Sequence, residues 1–240
     1  MAVDIEAMQK ALSHVEMREK IYMIESPSAE DLYCARNEGD ALARTLALAE
    51  IDVIYYLATS DETFNQALTD IAIKINALDP NEVQDAMPYV HISAHGDEDG
   101  ILLTDGDIIF WESLTRKLSE LHELVGPIKL NPPLPAEVPR TNLSLSSCAA
   151  FTNYKKYLSK DSPFLIMMGP TRDIGWCQAL IGFTTFYYQH FILRQPFLRA
   201  FRAMNAAATS NNETLFGYHE ERDIMRIVTK HAENLFPLKD

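Results

Sequence analysis

The sequence predicts an α/β domain in which a mostly parallel sheet is covered by helices on both faces. Short apolar strands alternate along the chain with longer helical segments, and this alternation is typical of parallel sheets. The chain has 240 residues, of which 47% are hydrophobic and 23% are charged, as in ordinary globular proteins. This length suits one domain, so we expect a single domain over 1–240, with a leading helix in 1–19 and a tail in 211–240.

Five strands are predicted from short apolar runs, each bounded by polar or turn-forming residues. They lie at 21–24, 53–57, 89–94, 143–147 and 164–168. A hairpin is predicted after the third strand, because two apolar stretches at 100–103 and 108–110 flank Asp105 and Gly106. Residues 215–218 could add a short edge strand.

Apolar residues at helical spacing predict the segments that connect these strands. Helices are expected over 40–51, from 59 onwards, over 111–121 and over 173–208, the last interrupted at Pro196. Thr59 and Glu62 have the spacing of a capping box and predict the start of the second of these helices. The proline-rich segment 126–140 is expected to be an exposed loop, because proline fits neither a helix interior nor a central strand.

The net charge and the cysteines indicate which binding partners and which cellular compartment to expect. The formal net charge is −13, which would repel phosphate backbones and anionic membranes, so we expect no nucleic-acid or membrane partner. No apolar run has the length needed to span a bilayer. The three cysteines, Cys34, Cys148 and Cys177, are widely spaced and odd in number, which suggests neither a disulfide framework nor a zinc site. We therefore expect a cytoplasmic protein with reduced thiols, in which Cys34 and Cys177 are packing residues.

Cys148 and His95 are the candidate nucleophile and base, because each follows an apolar strand. The carboxyl ends of parallel strands meet at one edge of a sheet, where substrates usually bind. A cysteine nucleophile needs a partner that manages protons, and imidazole suits this role because its ordinary pKa is near neutral pH. Gly96 lets the backbone approach closely, so that its N–H can point into the site. Asp173 follows the fifth strand and is expected at the same edge.

The order and spacing of these residues resemble those of the caspase-like cysteine peptidases. Tyr89–Gly96 resembles the apolar block and His-Gly pair of that family, and Asn142–Cys148 resembles the strand that ends in its nucleophile. His95 lies 53 positions before Cys148, close to the roughly 50 positions found in caspases. The hairpin after His95 and the closing helices resemble those of CHAT domains, the bacterial relatives of separase. The similarity covers roughly residues 20–210.

This resemblance implies a caspase-like three-layer α/β/α sandwich and a cysteine endopeptidase that needs no cofactor. Cys148 would attack the peptide carbonyl, and His95 would carry the proton to the leaving amine. The backbone N–H groups of Gly96 and Cys148 would hold the oxyanion. The family also implies a regulated bacterial effector in defence or cell-death signalling, with protein or peptide substrates and an activating protein partner.

Three residues are the candidates for substrate binding. Caspases carry a glutamine two residues before the nucleophile and metacaspases an aspartate, whereas this chain has Ser146 there. The resemblance to separase implies an acid after the fifth strand that reads a basic side chain, and Asp173 fits this place. Arg172, beside it, would favour an acidic side chain instead. Charge complementarity leads us to expect cleavage after a basic residue.

Two other functions are compatible with the sequence. A catalytically silent caspase-like module that binds a protein partner would carry the same His95 and Cys148. An α/β-hydrolase with a cysteine nucleophile would need its base downstream, where the chain offers His190, His219 and His231. That fold places glycines around its nucleophile, and this chain lacks them.

His91 lies four residues before His95, and we expect it to be structural. This spacing joins two histidines into a metal site when they lie on a helix. The local pattern here is a strand, so no metal is predicted.

Overall fold

The computed structural model describes residues 20–78, 87–129, 137–158, 162–209 and 213–220. Within these residues the chain forms an eight-stranded mixed sheet, a separate two-stranded ribbon, and helices on both faces of the main sheet. The strands are β1 (Lys20–Ser26), β2 (Asp52–Leu57), β3 (Tyr89–Gly96), β4 (Gly100–Leu102), β5 (Ile108–Phe110), β6 (Pro127–Lys129), β7 (Glu137–Pro139), β8 (Asn142–Ser146), β9 (Ile166–Pro170) and β10 (Phe216–Glu220). The helices are α1 (Ala29–Tyr33), α2 (Glu38–Ala47), α3 (Asp61–Asn76), α4 (Trp111–Val125), α5 (Ala150–Tyr154), α6 (Trp176–Tyr187) and α7 (Phe197–Ala208). The α/β class is confirmed, and the layers are compatible with a three-layer sandwich.

The main sheet is mostly parallel and has the strand order β10-β9-β8-β3-β1-β2. Parallel pairing joins β1 to β2 and β3, β3 to β8, and β8 to β9. β10 runs antiparallel to β9 at one edge, and the hairpin of β4 and β5 continues from the end of β3. Because β1, β3, β8 and β9 run in one direction, their carboxyl ends lie along a single edge of the sheet.

Alternate residues of the central strands enter two hydrophobic cores on opposite faces. In β1, Tyr22 and Ile24 pack with α3 and α4, whereas Ile21 and Met23 pack with α2, α6 and α7. This alternation follows from the two-residue period of a strand. A strand covered on both faces appears in the sequence as a continuous apolar run, so β1 and β3 could be predicted from composition alone.

The start of α3 differs from its prediction. Ser60 is the N-cap, and its hydroxyl accepts a hydrogen bond from the Thr63 amide while the Thr63 hydroxyl accepts one from the Ser60 amide. The predicted pair, Thr59 and Glu62, is therefore wrong by one residue. The hydroxyl of threonine fills the return position that glutamate usually takes in a capping box.

Three other boundaries also differ from prediction. β9 begins at Ile166 rather than at 164, because Phe164 is buried in a core before strand pairing starts. The ends of the proline-rich segment pair with each other as the ribbon β6–β7, away from the main sheet. The predicted interruption of the closing helix at Pro196 is confirmed, but α6 begins at Trp176 rather than at 173 and continues into a π-helical turn at Tyr188–Ile192.

Several predictions lie outside the described residues. These are the leading helix in 1–19, the middle of the proline-rich segment at 130–136, and most of the 211–240 tail. Residues 213–220 of that tail contain the predicted edge strand, here β10. Among the described helices, none is long and apolar enough to cross a membrane.

Two of the three cysteines are exposed. Cys34 follows the short helix α1, and Cys177 lies in the first turn of α6. The expectation that both are packing residues is wrong, because each lies at a helix end that faces solvent rather than a core. Cys148 is half-buried.

Candidate active site

Two neighbouring strand ends bring His95 and Cys148 to one cavity. His95 is the penultimate residue of β3, and Cys148 follows the end of β8 by two residues. Ser93 of β3 pairs with Ser146 of β8, so each candidate lies two positions beyond a paired residue. The cavity has a volume of about 140 Å³ and is lined by Ala94, His95, Ser147, Cys148, Ile174, Gly175 and Trp176. The predicted base and nucleophile therefore share one cavity wall.

Asp31 holds the His95 imidazole from the side. Its Oδ2 lies 2.6 Å from His95 Nε2. A carboxylate can only accept a hydrogen bond, so Nε2 carries the proton and Nδ1 is left as the nitrogen that can accept one from a thiol. On the other side, the Trp176 ring meets the imidazole edge to face, with ring centroids 4.8 Å apart. These two contacts fix both the tautomer and the orientation of the imidazole.

Asp31 is buried, and its partners keep it charged. Its carboxylate accepts a 2.6 Å hydrogen bond from the Ser28 hydroxyl and lies 3.3 Å from Arg36 Nε. Burial alone would raise the pKa of Asp31, but the hydrogen bonds from Ser28 and His95 and the positive charges of His95 and Arg36 outweigh it, so the pKa is lowered. Asp31 is therefore an anion at neutral pH and can stabilise an imidazolium.

Asp31 was not among the predicted site residues. A sequence signal was present: Ser28 and Asp31 have the spacing of a helix N-cap and its third helical residue, directly after β1. Because β1 is parallel to β3, an acid just beyond β1 must lie at the same edge of the sheet as His95. Trp176, which begins α6, was also missed, and no local pattern distinguished it from a core residue.

Cys148 lies in a sharp turn between β8 and α5. The next residue, Ala149, has a left-handed backbone with φ of 50°, a conformation that costs a non-glycine residue about 1 kcal/mol. The Ala149 amide donates to the Arg172 carbonyl at 3.0 Å, which ties the turn to the loop after β9. The Cys148 thiol donates a weak 3.6 Å hydrogen bond to the Ile174 carbonyl. Within the described residues the Cys148 amide has no acceptor, so it is available to an oxyanion.

Gly96 lets the base strand touch the nucleophile turn. A Cβ atom at this position would lie 2.1 Å from Ser147 Oγ and 3.0 Å from the Gly100 carbonyl oxygen. Only glycine permits this approach. Gly96 and Cys148, the predicted oxyanion residues, both line a second cavity, which shares Cys148 with the first.

If the chain has the peptidase activity that the sequence resemblance implies, replacing Gly96 with alanine should lower kcat/KM about 10²-fold, because a shift of about 1 Å between a base and a nucleophile has an effect of this size. The Ser147→Ala change removes the nearest clashing atom, a buried hydroxyl that has no hydrogen-bond partner. The double variant Gly96→Ala/Ser147→Ala should recover part of the loss, and Ser147→Ala alone should cleave like the wild type. Steady-state kinetics of the four proteins test this; equal losses in the single and double Gly96 variants would contradict it.

The second cavity is an open acidic cleft of about 520 Å³. Its lining residues are Gly96, Asp97, Glu98, Asp99, Cys148, Ala149, Asn153 and Asp173. None of its four carboxylates forms an ion pair with a described lysine or arginine. Asp173, predicted to read a basic side chain, therefore lies beside Cys148 among three further acids.

The other two predicted substrate-binding residues lie apart from both cavities. Ser146 is fully buried beneath the edge of the sheet. The Arg172 side chain forms an ion pair with Glu213 and lines a different cavity, shared with Gln178. The structure thus brings Asp173, but neither Ser146 nor the Arg172 guanidinium, to the cavities that contain Cys148.

A buried carboxyl pair lies one pleat below the site. Glu38, at the start of α2, accepts a 2.5 Å hydrogen bond from the Ser93 hydroxyl. Glu25, on β1 beside Ser93, accepts hydrogen bonds from the amides of Gly39 and Asp40 and from the Tyr55 hydroxyl. Burial raises the pKa of Glu38 to about 7; the Ser93 hydrogen bond opposes this shift, and the nearby Glu25 charge adds to it. Burial also raises the pKa of Glu25.

Glu38 should make the fold less stable as pH rises. A raised carboxyl pKa means that the folded state prefers the protonated acid, so this contribution is complete below the unfolded pKa of 4.5 and is lost as pH rises to about 7. The shift corresponds to about 3 kcal/mol. In urea titrations, the wild type should lose about 2–3 kcal/mol more unfolding free energy between pH 5 and pH 8 than Glu38→Gln does. The control Glu62→Gln, at an exposed position, should show the same pH dependence as the wild type. Parallel curves for wild type and Glu38→Gln would contradict this.

His91 is fully buried and structural, as predicted. Its Nδ1 lies 3.0 Å from the Tyr187 hydroxyl, which donates to Ser144, and its ring meets Phe183 edge to face. Burial lowers the pKa of His91 to about 3, so the ring is neutral. In the part of the chain that the structure describes, no group of three or more His, Cys, Asp or Glu side chains is arranged to hold a metal ion.

The two described downstream histidines, His190 and His219, line neither cavity that contains Cys148. His190 lies in the π-helical turn, where its Nδ1 is 3.0 Å from the Gln195 carbonyl oxygen and its ring stacks on Phe186. His219 is on the edge strand β10, and 231 lies outside the described residues.

The sequence matches no model of a known protein family and no curated protein sequence. The function must therefore be inferred from the fold and from the geometry of the site.

Proposed function

We propose that this chain is a cysteine endopeptidase of the caspase-like fold, in which Cys148 is the nucleophile and His95 the base. The observation that carries the proposal is the shared cavity: thiol and imidazole line it together, and Asp31 holds the far nitrogen of the imidazole. A buried packing cysteine would need none of these neighbours. The His95 side chain is 38% exposed, so the described residues leave the site open to a substrate.

In the proposed reaction a proton moves between Cys148 and His95, Asp31 stabilises the imidazolium, and two backbone amides bind the oxyanion. His95 Nδ1 takes the proton of the Cys148 thiol, and the imidazolium is stabilised by Asp31. The thiolate sulfur attacks the peptide carbonyl, and the amides of Gly96 and Cys148 receive the oxyanion. His95 returns the proton to the nitrogen of the breaking C–N bond. Water then adds to the thioester through the same base and releases Cys148.

The proposed substrate is a protein or peptide that is cut after a basic residue. The acidic cleft supports this choice, because Asp173 and three further carboxylates adjoin Cys148 and none is neutralised by a described cation. Side chains of the opposite charge gain most from such a cleft. The resemblance to CHAT domains extends the proposal to a regulated bacterial effector that responds to an activating protein partner.

A peptide-library cleavage profile tests the proposal. Purified protein is incubated with a proteome-derived peptide library, with Cys148→Ala as the matched control, and new termini are identified by mass spectrometry. Cleavage that depends on Cys148 and falls after lysine or arginine is expected. Cleavage that persists in Cys148→Ala would contradict the assigned nucleophile, and cleavage after acidic residues would contradict the assigned cleft.

Labelling with a peptidyl electrophile separates the enzyme from the silent module. An electrophile carrying a basic residue should modify Cys148 of the wild type, and His95→Ala should reduce the labelling rate. Exposed Cys34 and Cys177 serve as internal controls, because a general thiol reagent should label them equally in both proteins. If Cys148 reacts no faster than these two thiols, even with cell extract present, the binding module is the better assignment.

A further inference from the structure

Cys148 lies between two cavities of opposite chemical character. The open cleft on the Gly96 side is lined by four carboxylates. The smaller cavity on the His95 side contains no lysine, arginine or carboxylate in its lining, which is mostly apolar and includes Ala94, Ile174 and Trp176. Of the residues that line the two, only Cys148 is common to both.

We propose that the smaller cavity is a specificity pocket for an aliphatic side chain that adjoins the scissile bond, so that the enzyme cuts between a basic and an aliphatic residue. This inference rests on the proposed function. A substrate whose carbonyl lies at Cys148 must send the side chains that flank the cut towards the two cavities that meet there. A charged side chain would lose its hydration in the smaller cavity without gaining a partner.

The size of the smaller cavity suits leucine or methionine. Its volume is about 140 Å³, and an apolar protein cavity of about 150 Å³ holds one benzene molecule. The walls are also fixed in place. Trp176 packs against the His95 ring with centroids 4.8 Å apart, and Ile174 packs against the core beneath α6. A rigid apolar pocket discriminates by size as well as by polarity.

Ile174 is the position at which to test the pocket. It lines the cavity, and its backbone carbonyl accepts the hydrogen bond from the Cys148 thiol, so a change of side chain keeps this acceptor. Ile174→Ala enlarges the pocket and Ile174→Phe fills it. Asp173→Asn is the matched control, because it changes the acidic cleft and leaves the pocket walls intact.

The experiment measures kcat/KM on three peptides that differ in one residue. This residue is glycine, leucine or phenylalanine, and the scissile bond joins it to the basic residue. The wild type should prefer leucine to glycine by about 10-fold or more, since each methylene in an apolar pocket contributes about 10–200-fold. Ile174→Ala should raise the phenylalanine-to-leucine ratio at least about threefold, and Ile174→Phe should bring leucine close to glycine. Asp173→Asn should keep the leucine preference and weaken the basic one.

The outcomes distinguish this inference from the proposed function. Cleavage after a basic residue with no aliphatic preference, or with a preference that neither Ile174 variant alters, overturns the pocket and leaves the peptidase. An aliphatic residue before the cut and a basic one after it supports the pocket and reverses the order in the proposed function. If no peptide is cut, calorimetry with Cys148→Ala still decides: tighter binding of the leucine peptide than of the glycine peptide supports the pocket, and equal binding overturns it.

Discussion

Replacing His95 with alanine is expected to lower kcat/KM for peptide cleavage by about 10²–10⁴-fold, the range that general acid–base catalysis contributes. In the proposed mechanism the imidazole accepts the thiol proton and returns it to the leaving amine, and no other described base lines the cavity with Cys148. The loss should appear mainly in kcat, because the acidic cleft that is proposed to bind the basic side chain is unchanged. Stopped assays over pH 5.5–9 on wild type and variant would measure it.

The matched control is His219→Ala on β10. This residue lies on the antiparallel edge strand and lines neither cavity that contains Cys148. Its replacement should leave turnover within about twofold of the wild type, since surface changes away from a site have small effects. If His95→Ala keeps its activity while His219→Ala loses it, the downstream base of an α/β-hydrolase would replace the proposed dyad.

Replacing Asp31 with asparagine is expected to lower kcat/KM by about 10²-fold, within the range found for groups that orient a catalytic imidazole. The carboxylate accepts a hydrogen bond from Nε2, with Oδ2 and Nε2 2.6 Å apart, and Nδ1 is then free to act as the base. An asparagine can present its amide NH₂ to Nε2 instead, which favours the tautomer with the proton on Nδ1. Asp31 acts through His95, so it is a positioning residue.

Two measurements separate this role from a structural one. Asp31→Asn should slow turnover and Cys148 alkylation together while KM changes less than kcat. Arg36→Gln removes the guanidinium that contacts Asp31 Oδ1. The Arg36 side chain is 54% exposed, so this change should lower kcat/KM less than about threefold, because exposed ion pairs contribute little. Equal losses in the two variants, or a loss in Asp31→Asn explained by a lower melting temperature, would contradict the positioning role.

The sequence predicted the parts of the site that depend on local pattern. β3 and β8 are short strands that are buried along most of their length, and a residue that directly follows such a strand lies at the carboxyl edge of the sheet. His95, Cys148 and Asp173 could be placed in this way. Ala149, in the turn that carries Cys148, has a left-handed backbone. Glycine or asparagine usually occupies such a position, and the turn contains neither, so the sequence did not predict it.

The remainder of the site depends on contacts that are distant in the sequence. Asp31 reaches His95 across 64 positions, and Trp176 reaches it from the opposite direction along the chain. Arg172 looked available for substrate because its partner, Glu213, lies 41 positions further on. Periodicity and composition describe each segment separately, and they do not report which side chains of two segments meet. Only the packing of α1 and α6 against the sheet edge decides this.

The parallel pairing of Ser93 with Ser146 has a consequence for hydrogen exchange. Amides of central strands exchange only when a large part of the fold opens, whereas loop amides exchange by local opening. His95 and Cys148 belong to or directly follow the central strands, while Asp31 lies in the five-residue helix α1 and Trp176 is the first residue of α6. Deuterium should therefore enter residues 28–37 and 172–177 much sooner than residues 90–94 and 143–146. A partner or ligand that slows exchange in the first two segments alone would stabilise the two contacts that orient the imidazole without stabilising the strands that carry His95 and Cys148.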